Sequence, residues 1–169
     1  MLTLPRADPC RIPSTQKLAI PFLILGILLV SCAKEIPSEK LLTRQGLSYE
    51  VNSDKPFSGS TVSFYDNGQL EVRSNYKGGE LDGVAQKFGE NGQLRQKLSF
   101  AAGKLSGPFE TYSESGQLSE KGSYNDGEKD GAWVSYWENG QLKSKGSYKD
   151  GKRDGPYEFY HENGQLQRK

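Results

Sequence analysis

From about residue 57 onward, apolar and polar positions alternate in short runs that glycine interrupts, and the whole pattern repeats every 24 residues. Asn67-Gly68-Gln69-Leu70 returns as Asn91 to Leu94, Ser115 to Leu118, Asn139 to Leu142 and Asn163 to Leu166. Glycine stands at positions 59, 83, 107, 131 and 155, and five residues after each comes an aromatic: Phe64, Phe88, Tyr112, Tyr136 and Tyr160. A second aromatic (Tyr76, Phe100, Tyr124, Tyr148) follows each of the first four Leu, with a second glycine three residues later. A fixed period of this size marks stacked supersecondary units rather than one globular core. Glycine, β-branched and aromatic residues recur too often for any ten-residue stretch to stay helical. The pattern predicts one β-hairpin per repeat.

Parity tests the loop lengths. A two-residue Asn139-Gly140 turn pairs Trp137 with Leu142, whereas a three-residue loop, Glu138 to Gly140, pairs Tyr136 with Leu142 and uses the glycine as a left-handed bulge. Choosing three residues here, and again at Lys149 to Gly151, sends every recurrent apolar column (Tyr136, Leu142, Tyr148, Tyr160, Leu166 and their equivalents) to one face. The expected fold is all-β: an elongated, single-layer antiparallel β-meander with strands about 4.8 Å apart.

The amino end reads differently. Leu18 to Val30 is an uncharged run, too short for the roughly 20 apolar residues of a membrane span, and Arg6, Arg11 and Lys17 precede it. Leu29-Val30-Ser31-Cys32 resembles the lipobox of bacterial lipoproteins, which implies cleavage before Cys32 and a lipid on its sulfur. Three regions follow: 1–31 as lipoprotein signal peptide, 32–48 as lipidated N-terminus and tether with a helical turn near Lys40 to Arg44, and 49–169 as an N-terminal cap plus five repeats, the last incomplete. Ala33 after the cysteine implies, by the same resemblance, sorting to the periplasmic side of the outer membrane in a cell that has one. Cys10 leaves with the leader, so no disulfide is expected.

Tyr124 to Trp133 and Tyr148 to Tyr157, with Tyr136 to Leu142 and Tyr160 to Leu166, resemble the MORN repeat and, more closely, bacterial MORN-variant repeats. Proteins of that group are often labelled YwqK-family antitoxins. The resemblance implies a hairpin array over residues 57–169 and says little about a ligand.

Charge is nearly balanced, 22 Lys and Arg against 21 Asp and Glu, without the basic stripe that nucleic acid would call for. His161 stands alone, so His-based nucleophile systems and zinc sites lack parts. Asp66, Glu90, Glu114, Glu138 and Glu162 recur in equivalent turns, whereas paired acid–base work needs unlike environments. Lys129, Lys152 and Arg153 intrude into the acidic loops that invite a calcium reading, and Asp and Gly there are ordinary turn formers. No catalytic residue, metal, cofactor or small-molecule substrate is expected. Phe109, Trp133 and Tyr157 form a column of opposite parity, with Tyr65, Trp137 and His161 nearby; a second column runs Phe57, Leu81, Leu105, Lys129, Arg153. An exposed aromatic stripe marks recognition, which nominates Phe109, Trp133, Trp137 and Tyr157 as partner-binding residues. The expectation is a non-enzymatic, lipid-anchored scaffold that binds another envelope protein. Two alternatives stand beside it: an antitoxin or immunity protein, and a cell-wall glycan reader, since the repeats resemble choline-binding modules in period.

Overall fold

A computed structural model describes residues 34–169. The predicted signal peptide and Cys32 lie outside the described residues. One long antiparallel sheet runs through the repeats in chain order, with principal strands Gly59–Phe64, Leu70–Lys77, Gly83–Phe88, Leu94–Ala101, Lys104–Tyr112, Leu118–Asn125, Gly131–Tyr136, Leu142–Lys149, Glu158–Tyr160 and Leu166–Arg168. The fold is the all-β single-layer array of hairpins that the 24-residue period predicts.

Each Asn-Gly-Gln-Leu phrase closes a three-residue loop. Trp137 N–H donates to the Gln141 carbonyl at 2.8 Å, Gly140 N–H donates to the Trp137 carbonyl at 2.9 Å, and Tyr136 pairs with Leu142. Gly140 sits at φ +81°, a conformation that costs a residue with a Cβ. The register then slips: Ser135 pairs with Ser144, so Lys143 is an extra residue. The same slip follows the Phe64–Leu70, Phe88–Leu94, Tyr112–Leu118 and Tyr160–Leu166 pairs.

That bulge corrects the one-face expectation. One extra residue reverses the facing of everything beyond it. Tyr136 and Leu142 therefore share one face, while Tyr148, on the same strand as Leu142, lies with Trp133 on the other, their ring centroids 6.0 Å apart.

The second turn also differs from its expected length. Lys149 pairs with Lys152, and both intervening residues are left-handed, Asp150 at φ +49° and Gly151 at +73°. This is the two-residue primed turn, whose twist suits a hairpin. Two residues later the chain steps out of register: Tyr124 pairs with Lys129, but pairing resumes only at Lys121 with Val134. The step brings Trp133 over Gly122.

The stretch read as a tether is folded from Lys34. Glu35–Pro37 adds a parallel strand against Ser60–Val62, with Ile36 buried. A 3₁₀ turn, Ser38–Lys40, leads into Leu41–Arg44, which forms a strand rather than a helical turn and pairs with Leu47–Glu50. Phe57 is buried edge-on to Tyr76, 5.9 Å between centroids. This cap covers the first repeat's open edge, which would otherwise present unpaired backbone groups.

Candidate binding surface

Phe109, Trp133 and Tyr157 were expected on an open face. They instead form the core of the aromatic face, together with Tyr124 and Tyr148. Trp133 is only 2% exposed and Phe109 9%. Trp133 meets Phe109, Tyr124 and Tyr148 at 5.2, 5.3 and 6.0 Å, and Tyr157 meets Tyr148 at 6.2 Å. The indole lies so close to the Gly122 backbone that a Cβ there would fall 2.4 Å from the ring; Tyr157 lies on Gly146 in the same way, at 2.2 Å. From above, Lys129 places its ammonium 3.6 Å from the Trp133 centroid and Arg153 its guanidinium carbon 4.3 Å from that of Tyr157. The second expected column thus clasps the first, its long stems covering the rings. Phe109 and Trp133 are thus buried and Tyr157 half-buried, so the three do not form the exposed stripe expected of a recognition surface.

Trp137 lies apart from these three. It stands at the turn edge, half-buried, and its indole N–H donates to the Tyr160 carbonyl of the next repeat at 3.0 Å. Tyr65 makes the equivalent bond to the Phe88 carbonyl at 2.8 Å. The first and fourth turns are also tied to the turns that follow them. Asn139 accepts from Gln141 N–H at 2.9 Å and donates through its amide to the Glu162 carbonyl at 2.8 Å; Asn67 does the same with Gln69 and Glu90. In these two repeats the phrase thereby closes its own loop and bonds to the next one, whereas in the second repeat Arg95 makes the link to the next turn, donating to the Ser113 carbonyl. His161 has no ring–backbone bond of this kind among the described residues.

Between successive turns the edge opens into grooves. One, about 420 Å³, is lined by Phe64, Tyr65, Asp66, Asn67, Glu71 and Glu90. Another, about 450 Å³, lies three repeats on and is lined by Tyr136, Trp137, Glu138, Asn139, Lys143 and Glu162. They occupy the same place in the repeat and differ where Glu71 stands against Lys143. The bulge residue is thus the position that varies the chemistry of the edge, and its run of Glu71, Arg95, Ser119, Lys143, Gln167 was readable in the sequence.

The face opposite the core carries Arg73, Lys97, Lys121, Lys145 and Lys169 at repeat spacing. Lys97 approaches Glu110 at 3.9 Å. Lys145 and Lys169 both meet Glu158, at 3.0 and 3.4 Å, and Tyr160 donates its hydroxyl to the same carboxylate at 2.5 Å. The Tyr160 hydrogen bond first, and Lys145 next, hold the Glu158 carboxyl down at about 2. The same arrangement raises Lys145, chiefly through Tyr160 and Glu158.

Five consecutive matches to the MORN repeat variant cover residues 58–77, 81–102, 105–126, 129–150 and 153–169. The chain belongs to this family. The MORN-variant matches begin and end close to the primed turns, so each takes in one Asn-Gly-Gln-Leu loop and the strands on both sides of it. No curated protein matches the sequence. Among solved structures, the crystal structure of a GtfA/B complex bound to UDP and GlcNAc aligns at 16% identity over 66% of this chain and 23% of that one, with a TM-score of 0.27. The MORN-variant chain therefore spans about a quarter of that relative, and a superposition so loose carries no argument.

Proposed function

We propose that this MORN-variant protein is a non-enzymatic scaffold, held to the bacterial envelope by a lipid on Cys32, that captures another protein along the edge formed by its Asn-Gly-Gln-Leu turns. The observation that carries this reading is the pair of grooves at Tyr65 and Trp137. They recur at one place in the repeat, remain open, and are walled by rings that the core does not consume. A rigid row of backbone-bonded turns presents such side chains at little ordering cost. Carboxylates along the edge sit in equivalent turns rather than converging, which favours binding over catalysis. The lipid rests on the Leu29 to Cys32 motif alone.

Photo-crosslinking in cells tests both halves. A crosslinking residue at Asp66 or Glu138 is expected to trap one discrete protein, while the same residue at Lys152, on the opposite edge, traps none. Equal trapping from both edges, or none from either, removes the scaffold. Cys32→Ala is expected to release the protein from the membrane fraction and abolish palmitate labelling; labelling that persists removes the anchor.

A further inference from the structure

We propose that the groove at Tyr65 receives a basic side chain, arginine in preference to lysine, from the protein partner. The inference deepens the scaffold reading and rests on it for the class of partner.

The chain itself shows what this groove holds. In the fourth repeat, Lys143 fills the position three periods from Glu71 and places its ammonium 4.4 Å from the centroid of the Trp137 ring. In the second repeat, Arg95 fills it. Its guanidinium donates to the Ser113 carbonyl and, at 3.4 Å, to Asn91, and its Nε lies 2.6 Å from where a Cβ on Gly89 would stand. Gly89 is the counterpart of Tyr65 and Trp137, so the guanidinium takes the space a ring would have used. Two repeats out of five therefore supply an internal cation at one spot.

The first repeat reverses that charge. Glu71 stands where Lys143 and Arg95 stand elsewhere, and Ser63 donates to its carboxylate at 3.3 Å. The groove keeps its ring and its neighbouring acids, so Tyr65 is flanked by Asp66, Glu71 and Glu90, and among the described residues no cationic side chain lines it. Its volume, about 420 Å³, nearly equals the 450 Å³ of the fourth-repeat groove. A ring beside three carboxylates attracts a cation through the ring's quadrupole and through charge-assisted hydrogen bonds. A planar guanidinium can stack on Tyr65 and fork onto a carboxylate together, which an ammonium cannot.

The test is a titration of the full chain in micelles, followed by amide NMR, with acetyl-Gly-Arg-Gly-amide and its citrulline counterpart. The arginine peptide is expected to shift Tyr65, Asn67 and Glu90 and to leave Trp137, Asn139 and Glu162 unmoved. Glu71→Lys, which copies the fourth repeat, is expected to weaken that binding about tenfold with the rest of the spectrum unchanged. Lys143→Glu is expected to create a second site at Asn139 and Glu162. Equal shifts from the citrulline peptide, no effect of Glu71→Lys, or shifts produced only by phosphatidylethanolamine vesicles would each overturn the proposal. Crosslinking separates the two readings. A partner trapped equally well by the Glu71→Lys protein removes the groove and leaves the scaffold; no trapped partner, with peptide binding intact, removes the scaffold and leaves the groove.

Discussion

The aromatic face is filled in two ways along one backbone. Towards the carboxyl end, Phe109, Trp133 and Tyr157 stand in one column, and two of them lie on glycine in the neighbouring strand, Trp133 on Gly122 and Tyr157 on Gly146. Towards the amino end the same column holds Thr61 and Ala85, and Ala85 lies beside Ser74. The clasping residues change with it, from Phe57, Leu81 and Leu105 to Lys129 and Arg153. Ring on glycine closes the face. Small on small leaves a hollow of about 220 Å³ lined chiefly by Val72, Ser74, Leu81, Ala85, Leu98 and Phe100. A single-layer sheet has no second layer to fill such gaps, so its packing depends on size matching between adjacent strands.

Trp133→Ala should have the largest effect, because it converts the closed half into the open kind. Removing a fully buried indole that touches three rings is expected to cost about 3–5 kcal/mol. Repeat arrays lose structure locally, so hydrogen exchange should report lost protection over residues 118–153 while the cap and first hairpin stay protected. Uniform loss along the whole array would mean that the halves are not separable.

Gly122→Ala attacks the same contact from beneath. The backbone at Gly122 is not left-handed, so the cost comes only from the new methyl meeting the indole at 2.4 Å. Such overpacking is expected to cost about 1–3 kcal/mol. Combining it with Trp133→Ala should recover most of the Gly122→Ala cost in a double-mutant cycle. Additive effects would show that the glycine serves the backbone and not the ring.

Ala85→Phe makes the opposite conversion. A ring at position 85 should enter the hollow beside Leu98, as Phe109 already packs beside that leucine. The expected gain is about 1 kcal/mol, read as a higher midpoint in thermal unfolding. A lower midpoint would mean that Ser74 or Phe100 blocks the ring.

Most of the hairpin array was legible in the sequence because period and turn chemistry are local signals. Tyr136 facing Leu142 followed from parity and the left-handed Gly140. What parity could not carry was Lys143: one residue, charged and unremarkable, inverts the facing of everything after it. Parity alone therefore puts Trp133 and Tyr148 on opposite faces, whereas they share one, and the ring column it exposes is part of the packed face. A size rule was available instead. Residues 11 apart meet across adjacent strands, and Gly122 with Trp133, and Gly146 with Tyr157, couple the smallest side chain to the largest. The folded stretch before residue 48 left little trace, since Ile36 is a lone buried residue in a polar run.

The smallest expected difference between the halves lies on the opposite face. Glu158 holds Tyr160, Lys145 and Lys169, whereas the equivalent position in the second repeat is Gln86, which no ion pair can use. Glu158 titrates at about 2 in the folded chain against an ordinary 4.5. The folded state thus binds that proton less tightly than the unfolded chain, so the cluster's stabilisation is complete above pH 4.5 and fades as pH falls towards 2. Glu158→Gln copies the second repeat. It should lower stability slightly at pH 6, and its deficit should shrink between pH 4.5 and 2 until the two proteins coincide. Because three partners share one carboxylate on an accessible face, salt should narrow the deficit only in part, leaving the Tyr160 hydrogen bond. A deficit that stays constant down to pH 2 would assign the low value to another group, and the two halves would then differ in their rings alone.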